Sequence, residues 1–99
     1  MESSDISRLI RDELSSLSRP LKSFVNLDRC LVAPHRMTFA GHAEGDTWDL
    51  WLVLEEQPET KSGYKVVFDE ETKQFGLATG TRNVFIGFYG TFVQTLEGM

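Results

Sequence analysis

The pattern of apolar and polar positions is clearest in the middle of the chain, over Trp48–Glu55. Taken alternately, this stretch has one face with Trp48, Leu50, Leu52 and Leu54 and a second face with Asp49, Trp51, Val53 and Glu55. Alternation at every second residue is typical of a strand, so we predict the central strand of an antiparallel sheet here. The first face belongs to the core. The second is open to a covering element or to a partner.

A helical pattern precedes this strand and predicts a helix over about Asp5–Ser18. Its apolar stripe follows the i, i+3, i+4 spacing and consists of Ile6, Leu9, Ile10, Leu14 and Leu17. Ser3 or Ser4 can act as the N-cap, and Pro20 ends the helix because its nitrogen has no hydrogen to donate. The connection over Asn26–Pro34 is predicted to be irregular or partly extended.

Two hairpins are predicted around the central strand. The first joins Met37–Glu44 to Thr47–Glu55 through a turn at Gly45 and Asp46. The second turns over Glu70–Lys73. Its side-chain chemistry predicts the cross-strand pairs Asp69 with Gln74, Phe68 with Phe75, Val66 with Leu77 and Tyr64 with Thr79. The opposite face is thinner in apolar bulk and predicted to lie nearer to solvent; it carries Lys65, Val67, Asp69, Gln74, Gly76 and Ala78.

The C-terminal region is compatible with a helix by its apolar spacing, but it contains two unfavourable glycines. Gly87 and Gly90 would each cost about 1 kcal/mol in a helix interior. We therefore predict a short strand over Val84–Phe88 and a helix over Thr91–Glu97, with Thr91 as its cap and Gly98 at its end.

Length and composition indicate a single α+β domain over residues 1–99. It has an N-terminal helix, an antiparallel sheet of four to five strands built from hairpins, and a short C-terminal helix. The chain is 40% hydrophobic and 25% charged, as in ordinary globular proteins. Cys30 is the only cysteine, which excludes an internal disulfide. Without a secretion signal or an apolar stretch of about 18 residues, a cytoplasmic location is expected.

The net charge of −5 is concentrated in the middle third of the chain. Residues 44–71 carry two lysines and nine carboxylates, which sum to −7, while the segments 1–43 and 72–99 each sum to +1. Phosphate groups are bound by Lys and Arg clusters, which this chain lacks. The charge pattern therefore disfavours nucleic acid and membrane partners and favours a basic protein.

A tryptophan lies among these carboxylates. An aromatic anchor ringed by charge is the composition expected where a surface steers a basic partner. The predicted partner-binding residues are Asp49, Trp51, Glu55, Glu56, Glu59, Asp69, Glu70 and Glu71. Two alternatives stay open: the carboxylates are solvated strand ends and hairpin tips, and Trp51 packs under the N-terminal helix.

Catalytic, metal and cofactor motifs do not emerge from the sequence. His42 and Glu44 share one side of a strand, but two ligands without a third do not make a metal site. Cys30 is more often a small buried hydrophobe than a nucleophile. We expect no cofactor, no metal and no enzymatic activity. A small enzyme using His42 with Glu44 or Asp46 is kept as an alternative.

The C-terminal run Gly87–Met99, preceded by the strand Phe75–Ala78, resembles the ending of small bacterial immunity proteins of polymorphic or contact-dependent toxin systems. Such proteins are encoded beside a toxin and block it by direct binding. The resemblance implies this role, but no particular fold, toxin or contact residue. With the charge pattern, it favours neutralisation of a basic, nuclease-type toxin through an acidic and aromatic surface. A structural domain that forms homo-oligomers, such as a homodimer, is the other alternative.

Overall fold

The computed structural model describes all 99 residues and contains three helices and five strands. The helices are α1 (Ser3–Ser16), α2 (Leu27–Cys30) and α3 (Phe92–Glu97). The strands are β1 (Leu31–Ala40), β2 (Thr47–Glu55), β3 (Tyr64–Asp69), β4 (Gln74–Thr79) and β5 (Val84–Gly90). The predicted α+β class is confirmed. None of the helices combines the length and apolar character needed to cross a bilayer.

The five strands pair in sequence order and close into a barrel. Neighbours along the chain pair antiparallel, and a single parallel pair between Ala40 and Val84 joins the first strand to the last. The backbone N–H of Ala40 donates to the carbonyl of Asn83 at this seam, at 2.9 Å. Barrel closure was not predicted from the sequence.

Two apolar clusters lie on the two sides of the sheet. All five strands contribute to the inner core inside the barrel, which consists of Phe39, Leu50, Leu52, Val67, Ala78 and Phe85. The outer core packs the sheet against the helices and consists of Ile6, Ile10, Cys30, Trp51, Val53, Leu54, Val66, Phe68, Phe75, Leu77, Phe92 and Leu96. The middle strands are therefore buried on both faces.

A β-bulge in β2 changes which residues face each core. The register between β2 and β3 shifts between Leu52 and Leu54. Since an extra residue reverses the alternation beyond it, the strict alternation predicted for this strand is wrong at its end. Leu54 joins the outer core, and Glu55 lines a pocket together with the inner-core residue Leu52.

The register of the second hairpin is confirmed pair by pair. The cross-strand partners are Asp69 with Gln74, Phe68 with Phe75, Val66 with Leu77 and Tyr64 with Thr79. The expectation that the opposite face lies nearer to solvent is wrong, because this face turns into the closed barrel. Its buried members are Lys65, Val67, Asp69, Gly76 and Ala78, whereas Gln74 is exposed.

The first hairpin has the predicted bounds in β2 but not in β1. β1 ends at Ala40 rather than Glu44, because the loop after it folds back on itself. In that loop the N–H of Gly41 donates to the carbonyl of Asp46 at 2.7 Å. The connection predicted to be irregular or partly extended is extended from Leu31 onward, as the start of β1, but it also holds the short helix α2, which was not predicted. Asn26 caps α2 by accepting from a backbone N–H.

The two predicted helices, one near each end of the chain, are confirmed, but the N-terminal helix has different bounds. α1 starts two residues earlier than predicted, at Ser3, and its N-cap is Glu2 rather than Ser3 or Ser4. The Asp5 carboxylate accepts from the Glu2 N–H at 2.7 Å. At the other end of the chain, β5 precedes α3 as predicted. Thr91 caps α3 through its hydroxyl, and Gly98 is its C-cap.

A carboxylate from α1 holds the first turn of α3. Glu13 accepts hydrogen bonds from the backbone N–H groups of Phe92 and Val93, at 3.0 and 3.1 Å. These groups have no partner within the helix, and the positive end of the helix dipole favours the negative charge. The N-terminal helix therefore positions the C-terminal helix.

A second contact holds the last turn of α3. Arg19 donates to both carboxylate oxygens of Glu97, at 2.6 and 2.7 Å, and the backbone N–H of Lys22 donates at 2.9 Å. These hydrogen bonds, the one from Arg19 above all, lower the pKa of Glu97 from 4.5 to about 2. The segment after α1 is thereby anchored to the end of the chain.

We expect the Glu97 contacts to stabilise the fold at neutral pH and to be lost in acid. Because the folded pKa is about 2 and the ordinary value is 4.5, the folded state binds fewer protons than the unfolded chain in this interval. The contribution is full above about pH 4.5 and declines as the pH falls through about 2. Urea midpoints of the wild type and Glu97→Gln should converge over this range. Glu44→Gln, in an exposed loop, is the charge control, and a constant difference for Glu97→Gln would contradict the assignment.

We expect Ile6→Ala to destabilise the fold by about 2–5 kcal/mol, because this fully buried side chain of α1 would leave a cavity in the outer core. Leu9→Ala on the same helix is the matched control. Leu9 is 38% exposed, so its loss should cost less than about 1 kcal/mol. Urea unfolding measures both. Equal losses would show that α1 does not dock as described.

Candidate functional site

The predicted partner-binding residues divide between the two ends of β2. Four of them, Asp49, Asp69, Glu70 and Glu71, line one cleft of about 300 Å³, which we name the acidic cleft; Arg36, Thr47 and Trp48 complete it. Glu55 is the last residue at the other end of β2, and Glu56 and Glu59 follow it in the loop. At about 3.3 Å per strand residue, the six steps from Asp49 to Glu55 separate the groups by about 20 Å. The carboxylates do not form one continuous surface.

Trp51 is only 9% exposed and is not part of the lining of the acidic cleft, but it contacts two residues that are. Its indole N–H donates to Glu70 at 3.2 Å. The guanidinium carbon of Arg36 lies 5.8 Å from the centroid of the Trp51 ring. The Nη1 atom of Arg36 lies 3.7 Å from the Glu70 oxygen that accepts from the indole. The ring belongs to the outer core that α1 covers, which is the alternative left open for this residue. Trp51 therefore supports charged groups and presents little surface itself.

The carboxylates of the acidic cleft differ in how far they are engaged. Asp69 is buried and accepts from the N–H of Glu71 and the hydroxyl of Thr72, so it holds the hairpin turn. Asp49 is exposed and accepts from a threonine hydroxyl. Glu71 is exposed, and its side chain makes no ion pair. With four carboxylates and Arg36 as the only cation in the lining, the cleft has a formal charge of −3.

At the other end of β2, the remaining carboxylates are individually engaged. Glu59 forms an ion pair with Arg29, and this guanidinium lowers the pKa of Glu59. Glu56 accepts from the backbone N–H of Tyr64 at 3.1 Å. Glu55 is buried, and its Oε1 accepts from the Lys61 ammonium at 3.0 Å. None of them adds to the acidic cleft.

A second cavity, of about 300 Å³, opens beside Glu55. We name it the inner pocket; it is lined by His35, Met37, Leu52, Glu55, Lys61, Lys65, Thr81 and Asn83. Glu55 is 4% exposed, and its Oε2 has no hydrogen-bond partner among the protein atoms. The bulge in β2 creates this site, because it turns Glu55 away from the outer core.

Lys65 is the most deeply buried cation of the inner pocket, at 2% exposure. Its ammonium donates to the carbonyls of Lys61 and Gly80, at 2.8 and 2.6 Å. Burial lowers the pKa of Lys65, partly offset by the charge of Glu55. The sequence interpretation missed this residue by placing its strand face near solvent. The sequence held no signal for it, because the cross-strand pair of Glu55 with Lys65 depends on the bulge between Leu52 and Leu54.

The residues of the enzymatic and metal alternatives are not assembled into one site. His42 Nε2 donates to the carbonyl of Ile86 at 3.1 Å, and His42 forms no ion pair with Glu44 or Asp46. No three His, Cys, Asp or Glu side chains are grouped so that they could hold a metal ion. Cys30 is buried in the outer core, which confirms the prediction of a small buried hydrophobe.

Comparisons of the chain with protein-family models, with curated proteins and with solved structures give no match. No relative therefore supplies a substrate, a partner or a contact residue.

We expect Lys65→Met to destabilise the fold by about 1.5–3 kcal/mol, because it removes the buried charged donor of two hydrogen bonds, to the carbonyls of Lys61 and Gly80. Lys73→Met is the matched control, since Lys73 is exposed and lies in the β3–β4 turn. Its effect should stay within about 0.5 kcal/mol. Chemical denaturation of both variants measures the difference. Equal stabilities would contradict the structural role of Lys65.

Proposed function

We propose that this chain is a non-enzymatic protein-binding domain that receives a basic protein in the acidic cleft. The observation that carries the proposal is that four carboxylates line a single concave surface, in which the one guanidinium lies beside Glu70. Asp49, Glu70 and Glu71 are the proposed contact residues. Trp51 fixes the position of the Glu70 carboxylate, because its indole N–H donates a hydrogen bond to it.

The electrostatics of a concave charged surface suit this role. Field lines are focused in such a cleft, and steering of this kind raises association rates by about 10- to 10³-fold at low salt. Arginine and lysine side chains of a partner would donate charge-assisted hydrogen bonds to the exposed carboxylates. Arg36 already forms an exposed pair with Glu70, with 54% and 35% of their side chains accessible. An exposed pair is weak enough to exchange for a partner cation.

The partner that we propose is a nuclease-type toxin, and the role is that of a cytoplasmic immunity protein. A nuclease must present cations to the phosphate backbone of its substrate. A cluster of carboxylates can occupy that cationic surface in place of phosphates. The resemblance of Gly87–Met99 to the ending of immunity proteins supports the same role. In the fold, this run forms the end of β5 and α3.

The test is binding of the purified protein to the product of the gene beside its own, measured by calorimetry at low salt. We expect a complex whose affinity falls as salt rises. The double variant Asp49→Asn with Glu71→Gln should weaken binding by about 100-fold or more, since it removes two charge-assisted hydrogen bonds to the partner, each of which contributes about 1.5–3 kcal/mol.

The matched control is Asp28→Asn with Glu59→Gln, which removes the same charge outside the acidic cleft. It should bind within about twofold of the wild type if the cleft is the interface. Absence of a complex at low salt would refute the proposed toxin. Equal weakening by both double variants would show that net charge, and not the cleft, drives association.

A further inference from the structure

A groove lies between α1 and the β3–β4 hairpin. Its volume is about 680 Å³, more than twice that of the acidic cleft. α1 packs most closely on β1 and α3, so space is left between this helix and the hairpin. We name this space the helix groove. Its lining includes Leu9, Asp12 and Ser16 of α1 and Lys73, Gln74 and Phe75 of the hairpin.

Leu9 is an apolar position of α1 that the chain itself leaves uncovered. Its neighbours in the apolar stripe, Ile6 and Ile10, are buried in the outer core, whereas Leu9 is 38% exposed and does not belong to that core. Phe75 also lines the groove, although only 3% of it is exposed. An apolar side chain that entered the helix groove would therefore remove Leu9 from water, which is favourable.

The helix groove and the acidic cleft are formed by the same hairpin. Residues 69–71 line the cleft, and residues 73–75 line the groove. The two concavities have no lining residue in common, so the β3–β4 turn separates them. A partner that spans this turn would reach both concavities at once.

The turn is held in one conformation by its own hydrogen bonds. The N–H of Lys73 donates to the carbonyl of Asp69 at 2.9 Å. The Asp69 carboxylate accepts from the N–H of Glu71 at 3.2 Å and from the hydroxyl of Thr72 at 2.8 Å. A surface that is already ordered loses little conformational entropy when a partner binds. The turn therefore presents a preformed shape.

The charge of the helix groove agrees with a basic partner. Its charged side chains are Asp12, Glu13 and Lys73, two carboxylates and one ammonium that sum to −1. Glu13 is engaged with the first turn of α3, whereas Asp12 is exposed and forms no ion pair. A protein that brings cations to the acidic cleft is therefore not repelled at the groove.

Charged surfaces steer a partner, whereas much of the affinity of an interface comes from a few apolar or aromatic side chains that are buried in pockets. Trp51 is too deeply buried to be such an anchor. We propose that the partner supplies it: an apolar side chain of the same basic protein enters the helix groove while its cations meet the acidic cleft. This role of the groove rests on the proposed binding of a basic protein. The partner would then contact the β3–β4 turn on both sides.

The test is an NMR titration of the isotope-labelled full chain with two capped pentapeptides. One has the sequence Lys-Lys-Trp-Lys-Lys, and the other has alanine in place of tryptophan. Five extended residues reach about 17 Å, which is enough to cross a turn whose strands lie about 5 Å apart. We expect the tryptophan peptide to shift the amides of Leu9, Ser16 and Glu71. The alanine peptide should shift only Glu71 and bind about tenfold more weakly.

Leu9→Ala tests the helix groove without a change of charge. It should weaken binding of the tryptophan peptide by about three- to tenfold, because the peptide covers the exposed part of this side chain. The factor should be equal at low and at high salt, since salt screens charges and not apolar contacts. Phe24→Ala is the matched control, because Phe24 is fully exposed and lies outside both concavities. It should leave binding unchanged.

Ser16→Phe tests the helix groove in the opposite way, by filling it. Ser16 is exposed and lines the groove, so a phenyl ring at this position competes with the tryptophan of the peptide. Binding of the tryptophan peptide should weaken by about tenfold or more, and binding of the alanine peptide should not change. Ser15→Phe is the matched control, because Ser15 is an exposed neighbour outside the lining.

Three results would overturn the proposal. Shifts confined to Glu71 would show that the helix groove takes no apolar side chain. Equal losses for Leu9→Ala and Phe24→Ala would show that the groove is not where the tryptophan binds. Concentration-dependent shifts without peptide, lost in Leu9→Ala, would show that a second copy of the chain covers the groove. Groove shifts with the tryptophan peptide, but no complex with the product of the neighbouring gene, would support the groove and refute only the proposed toxin.

Discussion

The structure depends on the burial of β2 on both of its faces. Leu50 and Leu52 point into the barrel, while Trp51 and Val53 point toward the helices. A strand with two apolar faces needs a cover on each side. The curling of the sheet supplies one cover, and α1 with α3 supplies the other. The acidic cleft and the inner pocket lie at the ends of this strand, where it leaves the two cores and polar side chains take over.

The helices that cover the outer face of β2 are held in place by polar contacts at both ends of α3. Glu13 serves the unpaired N–H groups at its start, and Arg19 holds Glu97 at its end. Both contacts link the first fifth of the chain to the last few residues. The carboxylates of the acidic cleft differ from these two, because only Glu70 has a cation beside it. The acidic cleft thus holds three carboxylates that form no ion pair.

The features predicted correctly from the sequence are those set by neighbours along the chain. The bounds of β2, the register of the β3–β4 hairpin and the cap at Thr91 all follow from short-range patterns. The bulge after Leu52 could not be predicted, because an added apolar residue in an apolar run leaves no mark. The burial of Lys65 escaped prediction because barrel closure turns its strand face inward, and closure itself was not predicted. Asp49 meets the β3–β4 turn only because β2 and β3 run antiparallel, a relation that composition does not encode.

The single pair between Ala40 and Val84 has a consequence for how the chain folds. Antiparallel neighbours need only short loops to close, so their pairing is entropically cheap and can come early. The seam joins the first strand to the fifth. It forms only one residue pair, although its formation has to close a long loop and so costs chain entropy. We therefore expect an open, curled sheet to form before the seam closes. In that species the apolar lining of the barrel is accessible, and with it an unpaired strand edge on which two chains could join before either is complete.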